Sequence, residues 1–214
     1  NHTVPVQATF NVFKYINVTP RINMNDWMYF KKVRREWDPV NRKELFDTFY
    51  NFYNVFDFIS GIDFSTKIYG FFKPMKFLGD KVQMIRHVLT PTVSLSASPD
   101  FTSQWWGYYG NYEKTTEDES GNYVTENVRY RYNPVRHSGK AGTVTLSLEN
   151  NLELKVKSNS DSTGVKKLSL IENFTVSQYY NFAADSFKWG DINTSIMLRL
   201  VKNFNLRFSA NWDV

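Results

Sequence analysis

The 214-residue chain has no cysteine, a formal charge of +5 and a mean hydropathy of -0.47. Those values exclude a disulfide framework, a thiolate metal site and membrane-spanning helices. Lysines and arginines are scattered among nearly as many acids, which leaves no basic arm for nucleic acid. Aromatic residues reach 17%, an enrichment shared by the girdles of membrane β-barrels and by some soluble β-sandwiches. The first residues, NHTVPVQATF, show neither the basic start nor the apolar run of a signal peptide. The chain is therefore expected to be mature protein or a piece of something longer.

Period-two alternation starts at once and recurs in nearly every segment. Val4, Val6, Ala8, Phe10 and Val12 alternate with Pro5, Gln7, Thr9 and Asn11; Ile16, Val18, Pro20, Ile22 and Met24 alternate with Asn17, Thr19, Arg21, Asn23 and Asn25. Phe56, Phe58, Ile62, Phe64 and Ile68 follow, with Asp57, Gly61, Asp63, Ser65 and Lys67 between them. Over residues 89–97 the odd positions are Leu89, Pro91, Val93, Leu95 and Ala97, and the even ones are the small hydroxyls Thr90, Thr92, Ser94 and Ser96. Leu146, Leu148, Leu152 and Leu154 alternate with Ser147, Glu149, Asn151, Glu153 and Lys155. A sixth strand carries Leu168, Leu170, Phe174, Val176 and Tyr180, and residues 192–200 and 204–212 read as a closing hairpin. No segment keeps a helical period.

Either a soluble sandwich or a membrane barrel could use such strands, and the connections separate the two. Short turns are expected at residues 13–15, 73–81, 158–164 and 201–203, and longer loops at 31–54, 102–140 and, more briefly, 184–191. Every second connection is short, which sorts the short ones to one end, as in an up-and-down outer-membrane barrel. A Greek-key sandwich has no reason to sort its loops so. A tilted strand crosses hydrocarbon in about 9–11 residues, and the alternation over residues 16–30 and 56–72 runs further, so the barrel is expected to project past the bilayer. The fold class expected is all-β: an antiparallel up-and-down transmembrane β-barrel, with about eight strands visible as one segment over residues 1–214 and no second domain. On this reading Val93 and Leu95 face lipid, and Thr92 and Ser94 face a watery lumen.

Catalytic signals are weak. His2, His87 and His137 lie far apart, and His87, on the apolar parity near a strand start, fits interfacial packing better than catalysis. The acidic run EKTTEDESGN, residues 113–122, lacks the oxygen spacing and sharp glycine of a calcium loop and reads as a solvated tip. No enzyme chemistry and no cofactor are expected. The informative set is the polar parity, where Arg21, Asn23, Asp63, Lys67, Arg86, Glu149, Glu153, Lys155, Arg199 and Arg207 would point inward. A cation facing lipid at mid-depth costs about 2–4 kcal/mol, so the lumen is where charge belongs. For each residue two roles stay open: a plain hydrated wall of ion pairs, or contact with an amphiphile's head group or a plug protein.

Several strings together resemble one family. INVTPRINMNDWMYFKK, GIDFSTKIYGFF, IRHVLTPTVSLSASPDF, NNLELKVKS, TGVKKLSLIENFTVSQYYNFAADSFKW and NFNLRFSANWD are similar to the C-terminal barrel of the LptD-type lipopolysaccharide-assembly proteins, in a branch distant from the enteric members. The resemblance implies a large barrel of the cell outer membrane that takes lipopolysaccharide from periplasmic bridge proteins. It also implies an LptE-type plug lipoprotein and release of the lipid sideways into the outer-membrane lipid. The enteric interdomain disulfides have no counterpart here, nor do the jelly-roll domain and the terminal aromatic strand. The chain is therefore expected to be an internal stretch of the barrel wall.

Three other readings share the strand pattern. A small structural barrel or adhesin fits the strand count, and the wall of a porin or TonB-type transporter fits the alternation. An outer-membrane enzyme would need a catalytic constellation that the scattered histidines do not offer. The face assignment has a direct check. Single cysteines at positions 93 and 94 should differ in reaction with a water-soluble thiol reagent, Ser94→Cys labelling and Val93→Cys not. Equal labelling would show that the two faces do not meet different solvents.

Overall fold

The computed structural model describes residues 1–74, 81–134, 139–158, 164–201 and 204–214. His137 and the inner parts of the turns expected at 73–81, 158–164 and 201–203 lie outside the described residues. Among the described residues twelve strands are formed: β1 (His2–Gln7), β2 (Phe10–Val12), β3 (Ile16–Asp38), β4 (Lys43–Thr66), β5 (Ile68–Phe72), β6 (Val82–Ser98), β7 (Tyr109–Glu117), β8 (Tyr123–Arg131), β9 (Ala141–Lys157), β10 (Val165–Asn181), β11 (Ile192–Val201) and β12 (Phe204–Trp212). One sheet runs in the order β1, β3, β4, β6, β9, β10, β11, β12, with β2 on β3 and β5 on β6. The sheet keeps the order of the chain, with the β7–β8 hairpin left out between β6 and β9, and the pairings of β2 with β3, β5 with β6, and β9 through β12 are antiparallel. This is the up-and-down order expected, and the sheet is not closed: no pairing joins β1 to β12 among the described residues. The strands β7 and β8 form a separate two-stranded hairpin.

Packing divides the chain into two compact units: Asn1–Val6, Arg21–Ser60 and Ala97–Ala141; and Gln7–Pro20, Gly61–Ser96 and Gly142–Val214. In the first unit, β3 and β4 extend far beyond the alternation that the sequence makes obvious. The loop expected over residues 31–54 is instead two strands joined at residues 39–42. The turn is held by Asp38, whose Oδ1 accepts the amides of Val40 at 2.9 Å and Asn41 at 3.1 Å. Those hydrogen bonds, led by the Asn41 side chain, hold the Asp38 carboxyl below its ordinary range. The charges that suggested a loop are matched across the strands. Arg35 lies 3.9 Å from Glu44, and Arg34 lies 3.9 Å from Asp47.

The expected long loop at 102–140 contains the β7–β8 hairpin, which packs on the β3–β4 pair. The Tyr112 hydroxyl donates to Glu44 at 2.7 Å, Lys32 sits 4.1 Å over the Tyr132 ring, and Arg42 pairs with Glu117 at 2.9 Å. The acidic run is thus strand and turn: Asp118 accepts the amides of Ser120 and Asn122. Beneath, Val55, Phe101 and Tyr108 form a small core with Tyr29, Phe58 and Trp106. Phe101 is fully buried, its ring edge-on to Phe58 at 5.6 Å. A buried polar pair completes this layer, Asn25 Nδ2 donating to Asp57 Oδ1 at 2.9 Å.

The second unit has no such core. Every buried hydrophobic residue among those described belongs to the first unit. In the second, Leu146, Leu148, Phe204, Phe208 and Trp212 stand exposed on one side of the ladder. Antiparallel partners share a face, so the register sorts the residues directly. Leu148 faces Val176, Phe174 faces Ile196 and Ile196 faces Phe208, whereas Glu149 faces Thr175, Ser147 faces Ser177 and Ser195 faces Ser209. An uncovered aliphatic face beside a hydroxyl-lined one needs an apolar solvent on one side only.

The register slips twice in β10, between Ser169 and Ile171 and between Ile171 and Phe174. Ile171, not Leu170, therefore shares the apolar face with Leu152 and Leu198. Strict alternation could not place these residues, since a bulge sets two residues of one strand against one of its partner. Elsewhere the ladder is tight. A Cβ on Gly142 would fall 2.2 Å from the Phe182 ring, so the aromatic ring covers bare backbone while the Phe182 amide donates to the Gly142 carbonyl at 3.0 Å.

One contact in the first unit closes an open edge. The strand β6 ends at Ser98, and the Tyr108 hydroxyl then meets β4, donating to the Phe56 carbonyl at 3.0 Å and accepting its amide at 3.2 Å. Tyr108→Phe keeps the ring and removes both bonds. It should cost roughly 1–3 kcal/mol of local stability, read as faster hydrogen exchange at the Phe56 amide. Unchanged exchange there would show that the edge needs no such seal.

Candidate functional site

The register brings three cations and one acid together on the polar face of the second unit. Arg86 on β6 donates from Nη2 to Glu153 Oε2 on β9 at 2.6 Å. Lys155 stands two residues along β9, and Lys167 on β10 is its direct cross-strand partner. The four line a cavity of about 230 Å³, whose apolar wall includes Phe71 and Met84. Arg86 is only half satisfied, because its buried Nε has no acceptor among the described residues. Three positive groups against one carboxylate leave a surplus suited to an anion, since charge-assisted hydrogen bonds to anions are the stronger kind.

Of the sequence-derived candidates, Arg86, Glu153 and Lys155 thus meet in one place. Arg199 pairs instead with Glu172, which lies within the second β10 bulge, between Ile171 and Phe174. Asn151 helps to shape that bulge by donating from Nδ2 to the Glu172 carbonyl. Arg21 and Asp63 are both engaged, Asn23 is exposed on β3, and Lys67 falls in the break between β4 and β5. Glu149 faces Thr175 and Arg207 faces Met197, and neither makes an ion pair among the described residues. Lys167 was not among the candidates, although carrying the β10 parity back past Ser169 reaches it. His87 lies on the apolar side, where its Nε2 meets Asn150 Oδ1 at 3.1 Å beside Phe72, Ile171 and Phe174. No cluster of metal-ligating side chains occurs among the described residues.

An all-antiparallel up-and-down sheet, apolar and uncovered on one face, hydrated and charge-bearing on the other, is the wall of a transmembrane β-barrel. The comparison with known families gives the particular kind. Residues 1–214 match the family described as LptD protein, and the chain belongs to that family. That places it among proteins of outer-membrane lipopolysaccharide transport, a transport and assembly family and not an enzyme family. No curated protein and no solved structure matches the chain.

The Arg86–Glu153 pair is partly exposed, at 37% and 26% of its side-chain surface, so its net coupling should be about 1 kcal/mol. A double-mutant cycle with Arg86→Ala and Glu153→Ala, read by unfolding of the folded barrel, measures it. A coupling of zero would show that the two charges are held by their strands and not by each other.

Proposed function

We propose that the chain forms part of the wall of the outer-membrane translocon that inserts lipopolysaccharide into the outer leaflet. The observation that carries this is the surplus of cations at Arg86, Lys155 and Lys167, set on the hydrated face of strands whose opposite face is aliphatic. A lipid with a sugar-and-phosphate head and acyl tails needs both surfaces within one wall: charge for the head, and an apolar exit for the tails. Family membership supports the same reading. The edges of β1 and β12 support a larger barrel, because they lack partners among the described residues and an open edge is not tolerated in hydrocarbon. On this reading the whole chain is a single barrel segment in the cell outer membrane. Its partners are an LptE-type plug lipoprotein and the periplasmic proteins that deliver the lipid.

Depletion of the protein tests the function. Newly made lipopolysaccharide should then accumulate in the inner membrane and periplasm, and normal surface lipopolysaccharide after full depletion would overturn the reading. A photocrosslinking residue at position 155 or 167 of the full protein should capture lipopolysaccharide or the plug lipoprotein. One at Val93, on the apolar face, should capture neither.

A further inference from the structure

The apolar face of the second unit is not smooth. Phe72, His87, Asn150, Leu152, Ile171 and Phe174 line a cavity of about 350 Å³ in it, within the usual range for small-molecule pockets. The register accounts for the cavity. Ile171 pairs with Leu152 and Phe174 with Asn150, so β10 takes three steps where β9 takes two. A bulge of this kind bends its strand and opens the surface beside it. The transport reading makes no use of this place.

Two polar side chains stand in this apolar setting, and their contacts fix how they point. Asn150 Nδ2 donates to the Phe174 carbonyl at 3.3 Å, while Asn150 Oδ1 lies 3.1 Å from His87 Nε2. A carbonyl oxygen only accepts, so the imidazole is the donor there. An amide nitrogen carries two hydrogens, and Asn150 uses one of them among the described residues. The spare donor faces an apolar solvent, where an unpaired polar group is costly. Depth adds a second observation. His87 and Ile171 lie in the first halves of β6 and β10, toward the short turns, which in outer-membrane barrels are periplasmic. Four residues beyond Leu152 on the same face of β9, Val156 pairs with Lys166. Lys166 is exposed and makes no ion pair among the described residues. It stands about 13 Å along the strand from the cavity, and a lysine so placed extends its stem to hold its charge in the head-group layer.

We propose that this cavity seats one acyl chain of a glycerophospholipid from the periplasmic leaflet, with an ester carbonyl of the lipid accepting from Asn150 Nδ2. The order of groups along the wall matches the order along such a lipid. Phe174 and Leu152 meet the hydrocarbon, the Asn150 donor meets the ester at its edge, and Lys166 lies on the side of the phosphate. His87 acts as a positioning residue, because its bond to Oδ1 keeps the Asn150 nitrogen on the carbonyl side. The ligand is a resident of the membrane and not the cargo of transport. The inference rests on the membrane-wall reading and needs no transport activity.

The test uses the full protein in detergent and native mass spectrometry, which counts the lipids retained by each chain. The probes are dioleoyl phosphatidylglycerol and its ether-linked analogue, which keeps the head and tails but lacks the ester carbonyls. The ester lipid should be retained, and the ether form should bind about fivefold more weakly. Asn150→Leu should erase that preference. Ile171→Trp, which fills the cavity and leaves the polar pair in place, should weaken both lipids about tenfold. The ester and ether forms are compared on the unaltered protein, so that arm does not depend on any variant folding. Equal retention of the two lipids, no retention of either, or no loss in Ile171→Trp would overturn the proposal. So would displacement of the phospholipid by an equal amount of lipopolysaccharide, which would make the cavity part of the transport path. A dimer of the chain that excludes the lipid would overturn it too. Because retention is read without transport, its failure is distinct from a failure of the depletion experiment.

Discussion

In an antiparallel ladder, residues opposite each other on adjacent strands stand on the same side of the sheet, and that rule decides which solvent each side chain meets. Here it holds from β9 through β12 with one local exception, the paired bulges of β10. The rule gathers Leu148, Val176, Ile196 and Phe208 on one side. It gathers Arg86, Glu153, Lys155 and Lys167 on the other, although they come from strands well separated in the chain. No compact core is then required in this unit. The backbone bonds satisfy one another, and the aliphatic face draws its stabilisation from an apolar solvent instead of from other side chains.

The first unit follows a different economy. Its strands are longer and its charges appear on both faces, matched by cross-strand pairs such as Arg35 with Glu44 or covered by tyrosines. Its small core at Val55, Phe101 and Tyr108 is built from a connection between strands and not from the strands alone. Such packing suits an aqueous setting, where apolar surface must be covered by the protein itself. The strands β3 and β4 contribute residues to both units.

Much of this was legible in the sequence, because period two is a strong signal wherever the two faces differ in polarity. The strands over residues 89–97 and 204–212 belong to that category. The signal failed where both faces are polar. The extension of β3 and β4 through FKKVRREWD and the β7–β8 hairpin through NYEKTTE carry charge at odd and even positions alike, and nothing in their alternation separates strand from loop. It failed again at Glu172, whose side depends on bulges that only the pairing partner reveals. Leu170 and Ile171, two adjacent aliphatics inside an alternating run, were the local sign that the period breaks there.

The Tyr108 seal on β4 bears on the life of the chain before it reaches its final place. Unpaired strand edges are templates for foreign strands, and β4 offers one wherever β6 no longer accompanies it. Until the connection after Ser98 has docked, the amide and carbonyl of Phe56 are free to pair with another copy. Docking of that single connection therefore also removes one adhesive edge from the folding chain.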